Sequence, residues 1–258
     1  MKTRKVFRWA ILMVMLTVVV SCKHDRKVFK VFDSEKVTDT RALKGFEKIE
    51  INGSPSVSFT QADTFSVVVK GPKNVVENIL TEVSGSTLKI RNRGKLGIIN
   101  VNVSNGDMAT VYVTSPDLID IRLNGSGDFV CDSRIDTDKM NIQLRGSGDI
   151  DIDDLICDDC QTNVVGSGDL NVKRLEAKDV SASLVGSGNI NLGLWKVDLT
   201  RLHLMGSGDI DADFNEGSKS VECELRGSGD ITLTGDVSHF SQHKSGSGDV
   251  DVKKLVVR

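Results

Sequence analysis

Apolar and polar residues alternate through most of the chain after position 45, and the triplet Gly-Ser-Gly interrupts this alternation at regular intervals. Successive triplets start 19 to 21 residues apart, at Gly125, Gly146, Gly166, Gly186, Gly206, Gly227 and Gly246. Alternation of this kind predicts β-strands with one buried face, and each Gly-rich break predicts a sharp corner between two strands. So regular a period predicts stacked, repeated units.

Equivalent positions in the seven units are apolar on both sides of the corner. The second residue before the triplet is Leu or Val in every unit except the last, which has Lys244 there. A single unit cannot bury such a face, whereas coils stacked about 4.8 Å apart bury it against their neighbours and pair their strands. We therefore expect an all-β fold, a right-handed parallel β-helix (solenoid) of about 20-residue coils with a less regular N-terminal β cap.

Glycine at the corner is explained by geometry, because a sharp bend needs either a positive φ or a close backbone approach, and a Cβ opposes both. The last unit differs from the others, since Lys244 occupies an apolar position and Lys253 and Lys254 follow in the final strand. Charges on a terminal coil oppose open-ended stacking, so we expect a monomer or a small closed oligomer.

The first 21 residues have the pattern of a signal peptide: four basic residues precede an apolar run, 9–20, that is too short to span a bilayer. The run ends Val-Val-Ser-Cys, which resembles a bacterial lipobox and predicts lipidation of Cys22. Ordinary secretion with an incidental thiol at Cys22 is the alternative. We expect a protein of the cell envelope that is anchored through Cys22, with the outer membrane as the favoured membrane. Either the periplasmic or the surface side of that membrane is compatible with the sequence.

Processing would remove four of the 33 Lys and Arg residues and none of the 36 Asp and Glu residues, which leaves a net charge of −7. Such an acidic protein is a poor ligand for nucleic acid. Residues 22–45 are polar and lack a clear period, so they predict a flexible tether, with ordered structure beginning near Phe46. We expect 46–258 to form one β-helix domain, with irregular coils over 46–115, including a short helical turn within 74–83, and the regular repeats over 116–258.

Three sequence features together resemble one known family. They are the segment 46–53 (Phe-Glu-Lys-Ile-Glu-Ile-Asn-Gly), the later 115–118 (Ser-Pro-Asp-Leu), and the recurring Gly-Ser-Gly-Asp tetrads. From Phe46 to Arg258 the chain is similar to the auto-transporter adhesin head GIN domain family of bacterial lipoproteins. The resemblance implies a parallel β-helix similar to pectate-lyase-type folds, without a recognised catalytic set, and a role in cell adhesion.

Two rows of polar residues are expected to face outward. The corner row, which follows each triplet, consists of Asp128, Asp149, Asp169, Asn189, Asp209, Asp230 and Asp249. The face row, two positions later, consists of Val130, Asp151, Asn171, Asn191, Asp211, Thr232 and Asp251. Carboxylates one coil apart repel by about 1 kcal/mol in water and about 3–4 kcal/mol at an effective dielectric constant of 20, so their retention needs a reason.

Two readings of these carboxylates stay open. In the first, each corner Asp accepts hydrogen bonds from backbone amides of its own corner. In the second, the rows bind a ligand or a divalent cation, most plausibly Ca²⁺, although no cofactor is required by the sequence. The candidate ligand or cation residues are Asp128, Asp149, Asp151, Asp169, Asp209, Asp211, Asp230, Asp249 and Asp251.

Other residue types that often carry chemistry are better explained by structure. Cys157 and Cys160 have the spacing of half a zinc site or a redox pair, but no second pair follows, so burial of small side chains or a disulfide are the alternatives. Cys131 and Cys223 fall on inward positions. His239 and His243 lie about 13 Å apart in a strand, which is too far to share one metal ion.

We expect a non-enzymatic envelope lipoprotein whose β-helix is a scaffold for adhesion or for binding a ligand such as an extracellular glycan or protein. A structural envelope protein without a dedicated ligand is one alternative. A glycan-active enzyme is the other, because parallel β-helices host lyases and this one displays carboxylates. Few aromatic side chains are left to stack on sugars after processing, and no nucleophile elbow or phosphate-binding loop is found.

Overall fold

The computed structural model describes residues 35–94 and 108–258. Strands and one short helix make up most of this part of the chain. In order they are β1 Lys36–Arg41, β2 Lys48–Gly53, β3 Ser56–Gln61, β4 Ser66–Pro72, α1 Lys73–Val76, β5 Ile79–Ser84, β6 Thr87–Asn92, β7 Thr110–Ser115, β8 Asp120–Gly125, β9 Phe129–Asp136, β10 Lys139–Gly146, β11 Ile150–Ile156, β12 Asp159–Gly166, β13 Leu170–Glu176, β14 Asp179–Gly186, β15 Asn189–Trp195, β16 Val197–Gly206, β17 Asp209–Gly227, β18 Ile231–Gly246 and β19 Val250–Val257.

The strands that end at the glycine triplets form one continuous parallel face, which we call the first face. Its order is β6, β2, β8, β10, β12, β14, β16 and then the second halves of β17 and β18. The first glycine of each triplet pairs with the first glycine of the next, from Gly125 to Gly246. The predicted stacking of the triplets is therefore confirmed, and Gly53 extends the stack by one unpredicted position.

The strands that follow the corners form a second parallel face. It runs from β9 through β11, β13 and β15 to the first halves of β17 and β18, and it ends at β19. From β8 and β9 onward, paired residues on both faces are 19 to 21 positions apart, so each coil contributes one strand to each face. This is the parallel β-solenoid that the repeat predicts.

Inward side chains from both faces form one apolar core along the whole stack. The position two residues before the triplet, occupied by Leu123, Leu144 and their equivalents up to Leu225, is fully buried. Burying one such Leu stabilises the fold by about 1.5–3 kcal/mol. Thr162 and Thr200 also point inward, and their hydroxyl groups have no hydrogen-bond partner among the described residues.

The corner shows why both glycines of the triplet are needed. Gly186 has φ +139°, and a Cβ there would stand 2.1 Å from the carbonyl oxygen of Gly166 in the preceding coil. A Cβ on Gly188 would stand 2.0 Å from the carbonyl oxygen of Gly168. This close approach lets the Gly166 carbonyl accept hydrogen bonds from the backbone amides of Ser187 (2.8 Å) and Gly188 (3.3 Å). The glycines thus allow the coils to hydrogen-bond through the bend.

The N-terminal part is a mixed cap, in which β1, β4 and β5 pair antiparallel while β2 and β3 pair parallel with the stack, and one sequence prediction for it was wrong. Ordered structure begins before Phe46, because β1 lies inside the predicted tether and pairs antiparallel with β4. The short helical turn predicted within 74–83 is present as α1, and most of the rest of that segment is β5, which pairs antiparallel with β6. A strand predicted over 99–103, the signal peptide and Cys22 lie outside the described residues.

The C-terminal coil differs from the others, as its sequence indicates. Lys244 pairs in register with the buried Leu225 but is exposed, and its Nζ donates a hydrogen bond to Asp249 Oδ1 at 2.6 Å. Phe240 and Leu255 are only partly buried against the core. A lysine therefore closes the apolar row at this end of the described stack.

Candidate functional site

The carboxylates of the corner row connect successive coils. The Oδ1 atom of Asp169 accepts the backbone N–H of Asn189 at 2.8 Å, and that of Asp209 accepts the backbone N–H of Asp230 at 2.8 Å. The same contact joins Asp149 to Asp169 at 3.1 Å and Asp230 to Asp249 at 2.7 Å. The carboxylates accept backbone amides, as expected. The expected donor was wrong, because the amide belongs to the next coil and not to the corner of the Asp itself.

This contact explains why like charges are kept one above another. The backbone carbonyl of Asp230 accepts the amide of Ile210 at 3.0 Å, while its own amide, at the bend, is taken by the Asp209 carboxylate. A hydrogen bond to a charged acceptor contributes about 1.5–3 kcal/mol, which offsets a repulsion of about 1 kcal/mol between exposed neighbours. Within the described ranges no group of three or more His, Cys, Asp or Glu side chains is arranged to hold a metal ion.

The bend on the other side of each coil balances its charges instead. Lys178 Nζ lies 2.8 Å from Asp158 Oδ1 in the preceding coil, and Lys219 Nζ lies 2.8 Å from Asp198 Oδ1. From Asp158 to Lys219, acidic and basic residues therefore alternate from coil to coil at this bend. The like-charged carboxylates of the corner row therefore have a structural role as acceptors of backbone amides. The overall acidity of the chain does not explain them.

Side chains of the face row are hydrogen-bonded to one another along the axis. Asn171 Nδ2 donates to Asp151 Oδ1 at 2.9 Å, and Asn191 Nδ2 donates to Asn171 Oδ1 at 2.6 Å. Each amide group uses one of its two N–H donors in this way. The row therefore holds its side chains in fixed orientations and still presents donors and acceptors outward.

The face row forms one side of a shallow groove of about 560 Å³, which we call the axial groove. The backbone of the inward residues Val172, Leu192 and Ala212 forms its floor. The residues that line it are Asp151, Asn171, Val172, Lys173, Asn191, Leu192, Gly193, Asp211, Ala212, Asp213, Thr232 and Thr234. Because its two sides are rows of outward residues on successive coils, the groove runs from coil to coil along the stack.

The groove forms where the strands of the second face become shorter by one outward residue along the stack. Two outward residues separate the buried Ile152 from the buried Leu155, but only Gly193 separates the buried Leu192 from the buried Leu194. The register of β13 and β15 shifts at this point. One extra residue at the next bend restores the length of the coil. Lys196 lies in this bend with φ 53°, and among the described residues no other non-glycine residue has a positive φ.

A charged network and one aromatic side chain border the groove beside Gly193. A Cβ on Gly193 would lie 2.8 Å from Trp195 Cζ3, so the indole lies against this glycine. The Arg174 guanidinium carbon is 5.5 Å from the centre of the Trp195 ring, and Arg174 also binds Asp154 at 3.1 Å and Glu176 at 2.7 Å. These contacts fix the guanidinium over the ring.

The same network shifts two carboxyl groups. Burial opposes the charge of Asp154, but hydrogen bonds from Arg134 and Arg174 outweigh it and lower the pKa of this group below its ordinary value of 3.8. Hydrogen bonds from Lys196 and Arg174 likewise lower the pKa of Glu176. Both side chains are therefore held as anions at neutral pH, as ion-pair partners.

The structure separates the predicted site residues into three groups. Asp151 and Asp211 both line the axial groove, three coils apart, while Asp251 lies in the last coil and accepts a hydrogen bond from the Lys253 amide at 2.9 Å. The six acidic members of the corner row lie along the corner and outside the groove lining: Asp128, Asp149, Asp169, Asp209, Asp230 and Asp249.

Sequence reasoning missed the other half of the groove, namely Lys173, Gly193, Asp213 and the bordering Trp195. The sequence does contain a signal for the groove. The buried residue that ends the strand after the corner is nine positions after the first glycine of the triplet in one coil, as in Leu175, and eight positions after it in the next, as in Leu194.

The cysteines and histidines have structural positions. Cys131, Cys157, Cys160 and Cys223 are buried free thiols. A hydrogen bond with Cys157 and burial raise the pKa of Cys160, and burial raises the pKa of Cys223 to about 12.

His239 and His243 are exposed on β18. His239 Nδ1 contacts the backbone oxygen of Lys219 at 3.3 Å. In the part of the chain that the structure describes, no helix is both long and apolar enough to cross a membrane.

Comparison with protein families identifies the chain. A family model described as "Putative auto-transporter adhesin, head GIN domain" matches residues 45–216, two thirds of the 258-residue sequence. The protein therefore belongs to this family, and the resemblance of its sequence motifs to the family is confirmed. No curated protein matches the chain significantly.

Solved structures share the fold. A Bacteroides fragilis protein described as a "putative adhesin" is 26% identical, with a TM-score of 0.73 over 84% of this chain and 96% of that one. A "putative adhesin" from Parabacteroides distasonis is 19% identical, with a TM-score of 0.68 over 85% and 97%. A "putative lipid binding protein" from the same species is 22% identical, with a TM-score of 0.64 over 85% and 97%. The latter two likenesses show the fold alone.

Proposed function

We propose that this protein is a non-enzymatic adhesion module of the cell envelope that binds its ligand in the axial groove. Membership of an adhesin-described family supports an adhesion-type role. The observation that carries the choice of site is the side of the groove formed by Asp151, Asn171 and Asn191, whose side chains are fixed by hydrogen bonds to one another and still face outward.

The corner row does not compete with this assignment, because its carboxylates already have partners within the protein. Four of them accept amides of the next coil, Asp128 accepts the Ser56 hydroxyl, and Asp249 is paired with Lys244. The groove lies on the flat second face, where several coils contribute equivalent positions. A surface of this kind provides many weak, additive contacts, which suits an adhesin that must hold an extended partner.

We further propose that Cys22 carries the lipid that anchors the protein in the envelope, at the outer membrane. Labelled palmitate is expected on the wild-type protein and not on Cys22→Ala. Equal labelling of both proteins would refute the anchor, and it would leave the binding proposal standing.

A glycan-active enzyme is the second candidate, because glycosidases act through a pair of carboxyl groups and Asp151, Asp211 and Asp213 line the groove. It predicts that a bound glycan is cleaved during the binding assay. A structural envelope protein without a ligand predicts instead that no binding partner is found.

The experiment is a binding assay of the full chain, in mild detergent, on arrays of glycans and extracellular-matrix proteins. The double variant Asn171→Ala/Asn191→Ala removes two amide groups from the groove. The matched control, Gln143→Ala/Asn163→Ala, removes two amides at equivalent coils on the outward side of the first face. Binding that the first variant loses and the control keeps supports the proposal. An array without specific binding, or equal loss in both variants, would refute it.

A further inference from the structure

We infer that the axial groove takes an extended chain of neutral, β-linked sugars that lies along the solenoid axis. This inference rests on the proposed binding function and names the chemical class of its ligand. Four features of the groove carry it: its direction, its hydrogen-bonding groups, its charge and its aromatic border.

The direction of the groove selects a linear occupant. Its face-row side runs through five successive coils, from Asp151 to Thr232. With coils about 4.8 Å apart, these positions span about 19 Å. In an extended β-1,4-linked sugar chain, each sugar advances the chain by a distance similar to the spacing between two coils. Successive sugar rings can therefore contact equivalent side chains on successive coils.

The hydrogen-bonding groups suit hydroxyl-rich ligands. Asn171 and Asn191 each keep one amide N–H free of the row. At one end Thr232 adds a hydroxyl group, and the Thr234 hydroxyl, which donates to Asp213 Oδ1 at 2.6 Å, adds an acceptor. Sugar hydroxyls both donate and accept, which matches amide and hydroxyl side chains. Because contacts within the row already orient the amides, binding costs little additional side-chain entropy.

The charge of the groove excludes acidic polysaccharides. Asp151, Asp211 and Asp213 line it, and its single cation, Lys173, is paired with Asp153 outside the lining. An anionic sugar placed near these carboxylates is repelled, whereas a neutral sugar is not. Neutral chains are therefore favoured over uronates or sulfated sugars.

The aromatic border supplies an apolar contact for a sugar ring. Trp195 is partly exposed beside Gly193, and Arg174 holds its ring in place. The indole lies against Gly193, where a larger side chain would displace it, so its partly exposed surface stands at the edge of the groove within reach of a sugar ring. Sequence counts of aromatic residues understate this site because one fixed indole is sufficient for one ring.

The test is calorimetry of the full chain in mild detergent with cello-, xylo- and chito-oligosaccharides from dimer to hexamer, and with oligogalacturonates of matched length. Affinity is expected to rise with length until the groove is filled, and oligogalacturonates are expected not to bind. Asn171→Ala/Asn191→Ala should weaken binding of the neutral probes by about 10- to 30-fold, since each lost hydrogen bond contributes about 1 kcal/mol. Gln143→Ala/Asn163→Ala should leave it unchanged.

A second variant tests charge selection separately from folding. Asp211→Asn/Asp213→Asn should make oligogalacturonate binding detectable, because two carboxylates that repel an anionic sugar are removed.

The inference is overturned if no neutral probe binds, or if binding is insensitive to the groove amides. It is also overturned if a matrix protein, in place of a glycan, is the array partner lost in the groove variant, an outcome that would leave the proposed function intact.

Discussion

Replacing Gly186 with Ala should destabilise the protein far more than an ordinary Gly→Ala change in a turn. The new Cβ would stand 2.1 Å from the carbonyl oxygen of Gly166, well inside contact distance, and the residue would also have to keep φ +139°. Backbone strain of this kind costs about 1–3 kcal/mol. Moving the coils apart to relieve the contact weakens the two hydrogen bonds accepted by Gly166, at about 1 kcal/mol each.

The expected loss in the free energy of unfolding for Gly186→Ala is therefore about 3–5 kcal/mol, the sum of these effects. Two controls separate them. Gly188→Ala introduces the contact, at 2.0 Å from the oxygen of Gly168, without the requirement for positive φ. Gly85→Ala keeps the positive φ, +61°, in open space, and should cost only about 1–2 kcal/mol.

The assay is urea unfolding followed by circular dichroism, with linear extrapolation to water. The predicted order of destabilisation is Gly186→Ala first and Gly85→Ala last, with Gly188→Ala above Gly85→Ala. If Gly186→Ala cannot be recovered folded while Gly85→Ala can, the order still holds. A Gly186→Ala protein as stable as Gly85→Ala would show that the coils do not meet through the corner glycines, and the reasoning would fail.

Four further outcomes are expected. Asp169→Ala should lower the free energy of unfolding by about 1–2 kcal/mol, because it removes a hydrogen bond to a charged acceptor and also removes a smaller repulsion between carboxylates. The control Asp179→Ala, at an exposed position, should change the free energy of unfolding by less than about 0.5 kcal/mol. Equal effects of the two variants in urea unfolding would contradict the contact between coils. Thr200→Val should raise stability by about 1 kcal/mol, because it replaces a buried hydroxyl without a partner by a methyl group of similar shape, and a lower melting temperature would argue against this. The lowered pKa of Asp154 predicts stability that is complete above pH of about 4 and declines as pH falls through the folded-state value, so a pH series of melting temperatures should lose part of its acid slope in Asp154→Asn; an unchanged slope would count against the ion pairs. Cys223, with its pKa raised to about 12, should react with iodoacetamide only after unfolding, and rapid alkylation of the native protein would contradict its burial.

The stack itself could be predicted from the sequence because each unit repeats the same short-range requirements. The spacing of Leu144 and Ile150 around one corner fixes which side chains face inward, and the glycines fix where the bend falls. The same reasoning applied to every coil, so errors in one unit were corrected by the others. This consistency across units is why the fold class was accessible without coordinates.

The cap and the groove were harder to predict because they depend on departures from the repeat. Pairing of β1 with β4 is a long-range contact that no local period specifies. The groove arises from one residue lost near Gly193 and one gained near Lys196, which leave the coil length unchanged and so are invisible to the triplet spacing. The corner carboxylates were assigned the right kind of partner, but an alignment of units alone does not show that the partner lies in the next coil.

Hydroxyl-radical footprinting with and without the bound array partner tests most directly whether the axial groove is the binding site. Trp195 borders the groove, and Met205, 39% exposed, lies on the outward side of the first face, and both residue types react readily with the radical. We predict that the partner protects Trp195 and leaves oxidation of Met205 unchanged. Protection of Met205 with Trp195 unaffected would place the binding surface on the first face and contradict the account.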